Sequence, residues 1–138
     1  MVSQIDCMDI ILTKFPGFHS TWKKYLEWWG GDFRGFCNDM SCFSRYTIEL
    51  IKDSKSHDKE LKEIFTFIEH LLHEGSKEVK DAAATCFLEN LINISSSGRI
   101  SALKFVHMLG QESKEYCIAW DEFTGVKTEG LYENNENK

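Results

Sequence analysis

The sequence contains no apolar run approaching eighteen residues, which excludes a membrane-spanning helix. Its opening stretch, MVSQIDCMDIILTKF, carries Asp6 and Asp9 and no basic residue before Lys14, so it does not read as a secretory signal. The GxSxG elbow, the P-loop and the Rossmann fingerprint are absent. So are the zincin motif HExxH and the Glu-x-x-His pair of di-iron bundles. No segment alternates apolar and polar residues between turn signals, which argues against strands, and no internal repeat stands out. Nothing in the local sequence marks a catalytic residue or calls for a cofactor. A cysteine–histidine pair brought together only in space stays open, and an enzyme is a minority reading.

What is present points to a packed helical globule. The hydrophobic fraction of 42% and aromatic fraction of 13% exceed what a disordered chain carries. A chain of 138 residues is long enough for one domain with a sizeable core. The expected organisation is a single helical domain over residues 1–125 and a flexible acidic tail over 126–138, with the final ENNENK disordered. The five cysteines, Cys7, Cys37, Cys42, Cys86 and Cys117, are odd in number and scattered. That pattern fits reduced, buried thiols in a cytoplasmic protein. Cys37, Cys42 and His57 resemble part of a zinc site, but their spacing fits no standard ligand set, and no metal is expected.

The longest stretch without a basic residue, Asp81–Asn93, reads as the central helix. At about 100° per residue Val79, Ala82, Ala83, Cys86, Phe87, Asn90 and Ile94 share one face, while Leu88 and Ile92 fall opposite, so this helix is buried on more than one side. Ser76 is its N-cap. Asn90 lies in the apolar stripe and needs hydrogen-bond partners, either as a buried amide satisfying nearby backbone or as a group fixing a surface.

Around it the pattern predicts about seven helices. The first runs from Ser3 to about Phe15 with Ile5, Met8, Leu12 and Phe15 inward, and Pro16-Gly17 ends it. The second, about Ser20–Trp29, buries Trp22, Tyr25, Leu26 and Trp29 and leaves Trp28 off that side. The third begins at Asn38 or Asp39 and buries Met40, Phe43, Thr47, Leu50 and Ile51. The fourth, about Asp58 to Glu74, buries Leu61, Ile64, Phe65, Ile68, Leu71 and Leu72, and Gly75 stops it. It should form an antiparallel hairpin with the central helix. A sixth helix over residues 99–109 turns Ala102, Phe105, Val106 and Leu109 inward, and a seventh, capped by Ser113, turns Tyr116, Ala119, Trp120 and Phe123 to one side. The fold class is therefore all-α: a compact array, loosely HEAT- or armadillo-like.

Two surface features carry the functional expectation. Ten of the eighteen aromatics fall between Phe15 and Tyr46, and most close the core. Phe33 and Phe36, on a loop, and Trp28 are the ones suited to an interface. On the fourth helix Glu63, Phe67, His70 and Glu74 share the outer face, joined by Asp53, Asp58 and Glu60 near its entry. They read either as a solvated face with Phe67 tucked against a neighbour or as an acidic patch with an aromatic anchor. His70 and His73 beside Glu69 and Glu74 look like surface residues, as do His107 and Lys104, and no metal site is expected there. Residues 1–55 hold seven basic and seven acidic side chains; residues 56–138 hold nine and fifteen, which accounts for the whole net charge of −6. Such a half repels nucleic acid and anionic membrane and attracts a basic protein.

Residues 64–94, IFTFIEHLLHEGSKEVKDAAATCFLENLINI, carry a resemblance. An aromatic and aliphatic helix, a Gly-polar turn, then Glu78-Val79, Ala82 and Phe87-Leu88-Glu89-Asn90-Leu91 are similar to a segment of the helical immunity proteins of contact-dependent growth inhibition and other polymorphic-toxin systems. The resemblance covers about a quarter of the chain. It implies an immunity protein, or antitoxin, that occludes a cognate toxin domain, most simply a basic nuclease such as an RNase. The partner-binding residues would then be Glu63, Phe67, His70, Glu74, Asp53, Asp58 and Glu60. The alternative is a helical scaffold or adaptor with an endogenous protein partner.

Overall fold

The computed structural model describes residues 1–32 and 34–132. Phe33, an interface candidate, and the ENNENK end lie outside the described residues. Among the described residues seven α-helices form the array: α1 (Gln4–Lys14), α2 (His19–Trp29), α3 (Phe36–Lys52), α4 (Asp58–Glu74), α5 (Lys77–Ala82), α6 (Glu89–Ser96) and α7 (Gln111–Thr124). A π-helical segment, Ala83–Leu88, joins α5 to α6, and 3-10 turns occur at Pro16–Phe18, Ala102–Lys104 and Val106–Met108. Among the described residues the one β-type contact is the bridge from Val2 to Gly75. A Cβ on Gly75 would lie 2.6 Å from the Leu71 carbonyl oxygen, so only glycine fits this corner. α4 meets the α5–π–α6 rod as the expected antiparallel hairpin: Phe65 packs on Phe87 while Glu74 and Lys77 flank the turn. α7 returns onto α4 and α6, so the array closes on itself.

The central rod is buried on more than one side, with Lys80, Asp81, Thr85 and Asn93 facing solvent, and a π turn lies in its middle. Val79, Ala83, Phe87, Leu88 and Leu91 are fully buried, with Ile92 at 1% exposure. A wide i→i+5 turn inserts one extra residue, so everything after it is rotated by about 100° relative to a continuous α-helix. Phe87 sits mid-way in a file of five fully buried phenylalanines, Phe18, Phe43, Phe87, Phe65 and Phe105, with centroids 5.2, 5.6, 6.2 and 5.9 Å apart in turn. Asn90 has the partners it needs: its amide donates to the Cys86 carbonyl at 2.9 Å and to the Ser44 and Ser41 hydroxyls at 3.1 and 3.3 Å.

Several expectations are corrected. Two of the five thiols are not free: Cys37 is bonded to Cys86 across 49 residues, joining the first turn of α3 to the π segment. Cys7, Cys42 and Cys117 remain free and buried. The sixth helix is only the two 3-10 turns, although Ala102 and Phe105 do point inward. On α1 the buried set is Cys7, Met8, Ile11 and Phe15, and Ile5 is 84% exposed. On α7 it is Ser113, Cys117 and Asp121, while Phe123 is 80% exposed on the opposite side. Asp121 rotates α7 this way. Its fully buried carboxylate accepts from the Thr128 N–H at 2.7 Å and from the Thr128 and Tyr132 hydroxyls, each at 2.8 Å. Beyond it Leu131 lies in the core at 1% exposure and Thr128 is buried at 5%.

Helix starts also differ from the side-chain caps expected. Ser3 and Ser76 do cap α1 and α5, accepting from the Asp6 and Val79 N–H groups. α3, however, begins at Phe36 with Gly35, at φ +79°, in the cap position, three residues before Asn38, and Asp39 is buried, accepting from Tyr25 Oη at 2.7 Å and Arg34 Nε at 2.9 Å. Ser113 is not the cap of α7. Glu69 on α4 takes that place, accepting from the Glu112 and Ser113 N–H groups at 2.9 and 3.0 Å and from the Ser113 hydroxyl at 2.8 Å. Gly110 leaves room for this carboxylate, which any Cβ there would strike. Burial pushes the Glu69 pKa up, but these hydrogen bonds and one from His73 outweigh it and hold the value below the usual 4.5. A depressed folded-state pKa contributes stability that is full above the unfolded value and lost as pH falls through the folded one. Glu69→Gln should therefore cost on the order of 1 kcal/mol at neutral pH. The deficit should shrink as pH drops below about 4.5, checked by urea denaturation across pH. Equal deficits at pH 7 and pH 3 would refute the charge-assisted cap.

Candidate functional site

α4 buries Leu61, Ile64, Phe65, Ile68 and Leu71 by its 3.6-residue period, and α1 lies alongside with Ile11 and Phe15 inward. Between them lies a cleft of about 730 Å³ lined by residues of α1 (Ile10, Lys14), α4 (Lys62, Glu63, Thr66, Phe67, His70), Val2 and Phe15. Phe67 forms its floor at 4% exposure, edge-on to Phe15 at 6.0 Å. Lys14 Nζ lies 6.0 Å over the Phe67 ring, and the His70 ring is 6.5 Å away. A smaller cleft of about 350 Å³ shares Lys14, Phe15 and Glu63 and continues along α4 to Glu60, His57 and Ser56. The two make one groove with an apolar floor and a charged rim.

Glu63, Phe67 and His70 thus come together in the groove, and Glu60 lies in its continuation. Asp53, Asp58 and Glu74 line neither cleft. Two features depart from the acidic patch with an exposed anchor. Phe67 is buried under α1, so it shapes the groove without projecting from it. The acids are also matched: Lys59 Nζ meets Glu63 at 2.9 Å, Lys62 meets Asp58 at 3.1 Å, and Tyr46 Oη donates to Glu60 at 2.6 Å. Such exposed pairs add little stability, but they balance the rim. The α1 side of the groove was missed, because Ile10 and Lys14 lie some fifty residues upstream of α4. Ile10, an apolar residue off the expected α1 stripe, was the available signal.

The histidines separate. His70 lines the groove, whereas His73 turns to Glu69 at 3.2 Å and Glu112 at 3.7 Å. Among the described residues no three His, Cys, Asp or Glu side chains gather as a metal site. Cys37, one of the three considered for zinc, is in a disulfide. Burial pushes the free thiols of Cys7 and Cys117 up to about 12 and of Cys42 to about 11, so each stays protonated, and a poor nucleophile, at neutral pH.

Phe36 is half-buried against the core, whereas Trp28 is 80% exposed. Among the described residues no helix is long and apolar enough to cross a membrane. A family model described as Domain of unknown function (DUF7674) matches residues 8–125. No curated protein and no solved structure gives a significant match to the chain.

Proposed function

The chain belongs to the DUF7674 family, and from the groove this fold presents we propose that it is a non-catalytic binding protein of the immunity type, an antitoxin that occludes a cognate toxin domain. The observation that carries the reading is the α1/α4 groove, an apolar floor of Phe67 and Phe15 beneath a rim holding Glu63, Lys62, Lys14 and His70. An apolar trough with polar edges is the geometry in which a partner's helix or loop is held. The net charge of −6, concentrated after residue 55, suits a basic partner such as a nuclease domain. The resemblance of residues 64–94 adds support, since Phe67 and His70 fall inside it. No nucleic acid and no membrane is part of this reading. A cytoplasmic compartment was expected from free thiols, and the Cys37–Cys86 bond removes that support. The second reading, a helical scaffold or adaptor with an endogenous partner, is favoured by the balanced pairs Lys59–Glu63 and Lys62–Asp58, which leave the rim less acidic than a plug for a basic cleft requires.

Co-expression with the toxin domain encoded beside its gene tests the proposal. Wild type should protect the cell. Thr66→Arg fills the groove from an exposed position and spares the core, so it should weaken binding about tenfold or more and abolish protection. Glu63→Lys should slow association most at low salt. If natively folded Thr66→Arg still protects fully, this groove is not the binding face. If wild type protects against no neighbouring toxin, the adaptor reading replaces the antitoxin.

A further inference from the structure

We propose a second docking surface, on the side formed by α2, α3 and α6, for an acidic protein segment that presents an aromatic or large apolar side chain. It shares no lining residue with the cleft over Phe67, and its case does not depend on the antitoxin reading.

A cleft of about 550 Å³ opens between α2 and α3, with Lys24, Arg45 and Asn38 at its polar edge and Trp28 and Trp29 at its apolar one. Through Thr21 and Arg45 it joins a cleft of about 310 Å³ between α3 and α6, where Lys52 and Arg99 stand beside Ile48 and Ile94. Among the described residues no acid lines the first cleft, and the one acid in the second, Glu49, is engaged by Lys52 at 3.0 Å. Asp39 lies beneath Tyr25, but its carboxylate is taken up by Tyr25 and Arg34. Among the described residues Lys24, Arg45 and Arg99 form no ion pair, in contrast to Lys59 and Lys62 on α4. A chain with an excess of acids has therefore left cations unneutralised on one continuous surface, the complement of an acidic ligand.

The aromatic edge specifies the rest. Trp28 is 80% exposed and held edge-to-face against Trp29 at 5.5 Å, a large apolar surface kept in one orientation. A tryptophan presented this way beside a cation is a favourable anchor for a protein partner. An acidic segment with one apolar side chain fits better than nucleic acid, because three unpaired cations beside a Trp28/Trp29 edge match a few carboxylates and one apolar anchor and not a dense run of phosphates.

The test uses a short fluorescent peptide of glutamates around one phenylalanine, its lysine counterpart and an oligothymidylate, titrated with the full chain by anisotropy at low and high salt. The glutamate peptide should bind, weaken with salt, and shift the tryptophan emission. Lys24→Glu with Arg45→Glu should raise its dissociation constant about tenfold or more. Trp28→Ala should weaken it further, and Lys62→Glu in the other groove should leave it unchanged. These side chains are exposed, so circular dichroism should show native helix in every variant. The proposal is overturned if the glutamate peptide fails to bind at low salt, if the reversed-charge variant binds it equally, if Lys62→Glu weakens it as much, or if oligothymidylate binds more tightly.

Discussion

Phe87→Ala should destabilise the protein by about 3–5 kcal/mol, the full cost of truncating a buried phenylalanine in a site that cannot collapse. Phe87 is fully buried and bridges Phe43 on α3 and Phe65 on α4, so its loss opens the middle of the aromatic file. The π segment carrying it makes its most extensive contacts with α3 and is flanked by α5 and α6, so the backbone has little freedom to close the gap. Small domains are stable by only about 5–15 kcal/mol, so the variant should be half-unfolded at much lower denaturant. Leu88→Ala, about 100° round the rod from Phe87 and also fully buried, should cost about 2–5 kcal/mol. Guanidinium unfolding followed by circular dichroism reads both. A loss well under about 1 kcal/mol at Leu88 would mean that side is not packed.

Reducing the Cys37–Cys86 bond, or replacing Cys37 by Ser, should lower stability by about 4 kcal/mol, the loop-closure value for a bridge of this span. Cys37 is solvent-exposed, so the serine is tolerated locally. The stabilisation comes from constraining the unfolded chain, so the comparison is wild type with and without dithiothreitol. Cys37→Ser should unfold like reduced wild type and be indifferent to reductant. Labelling of oxidised, denatured protein should find three thiols. Five thiols, or identical unfolding with and without reductant, would refute the bridge.

Much of the fold was legible because hydrophobic period is local. The Met40/Phe43/Thr47/Leu50/Ile51 stripe of α3 and the Leu61/Ile64/Ile68/Leu71 stripe of α4 are buried as expected. The failures have physical causes that period does not encode. Cys37 and Cys86 meet across 49 residues of sequence, Cys86 on a wide turn that leaves no composition signal. α7 is rotated by its buried Asp121, a polar residue that an apolar-stripe rule assigns to solvent. The start of α7 is capped from α4 by Glu69, so Ser113 was a plausible cap with a competitor no local window contains. The groove suffers most from this limit, since half of it comes from α1. Phe67 was placed at the edge of the outer face of its own helix, beside the Leu71 and Ile64 stripe, and Phe15 and Lys14 cover it.

The six-residue wide turn also bears on how this gene could vary in length. A π turn holds one residue more than an α-helix of the same rise requires. Deleting one residue within Ala83–Leu88 would leave backbone able to form an unbroken helix, a length change that the tightly wound helices elsewhere have no slack to absorb. That deletion would still swing Leu91 and Ile92 by about 100° out of the core and carry Asn90 from its partners on α3. The surplus residue is thus a spacer that sets the angular phase between two halves of one rod. Related chains that keep the phase should keep the spacer, and those that lose it should have rebuilt α6.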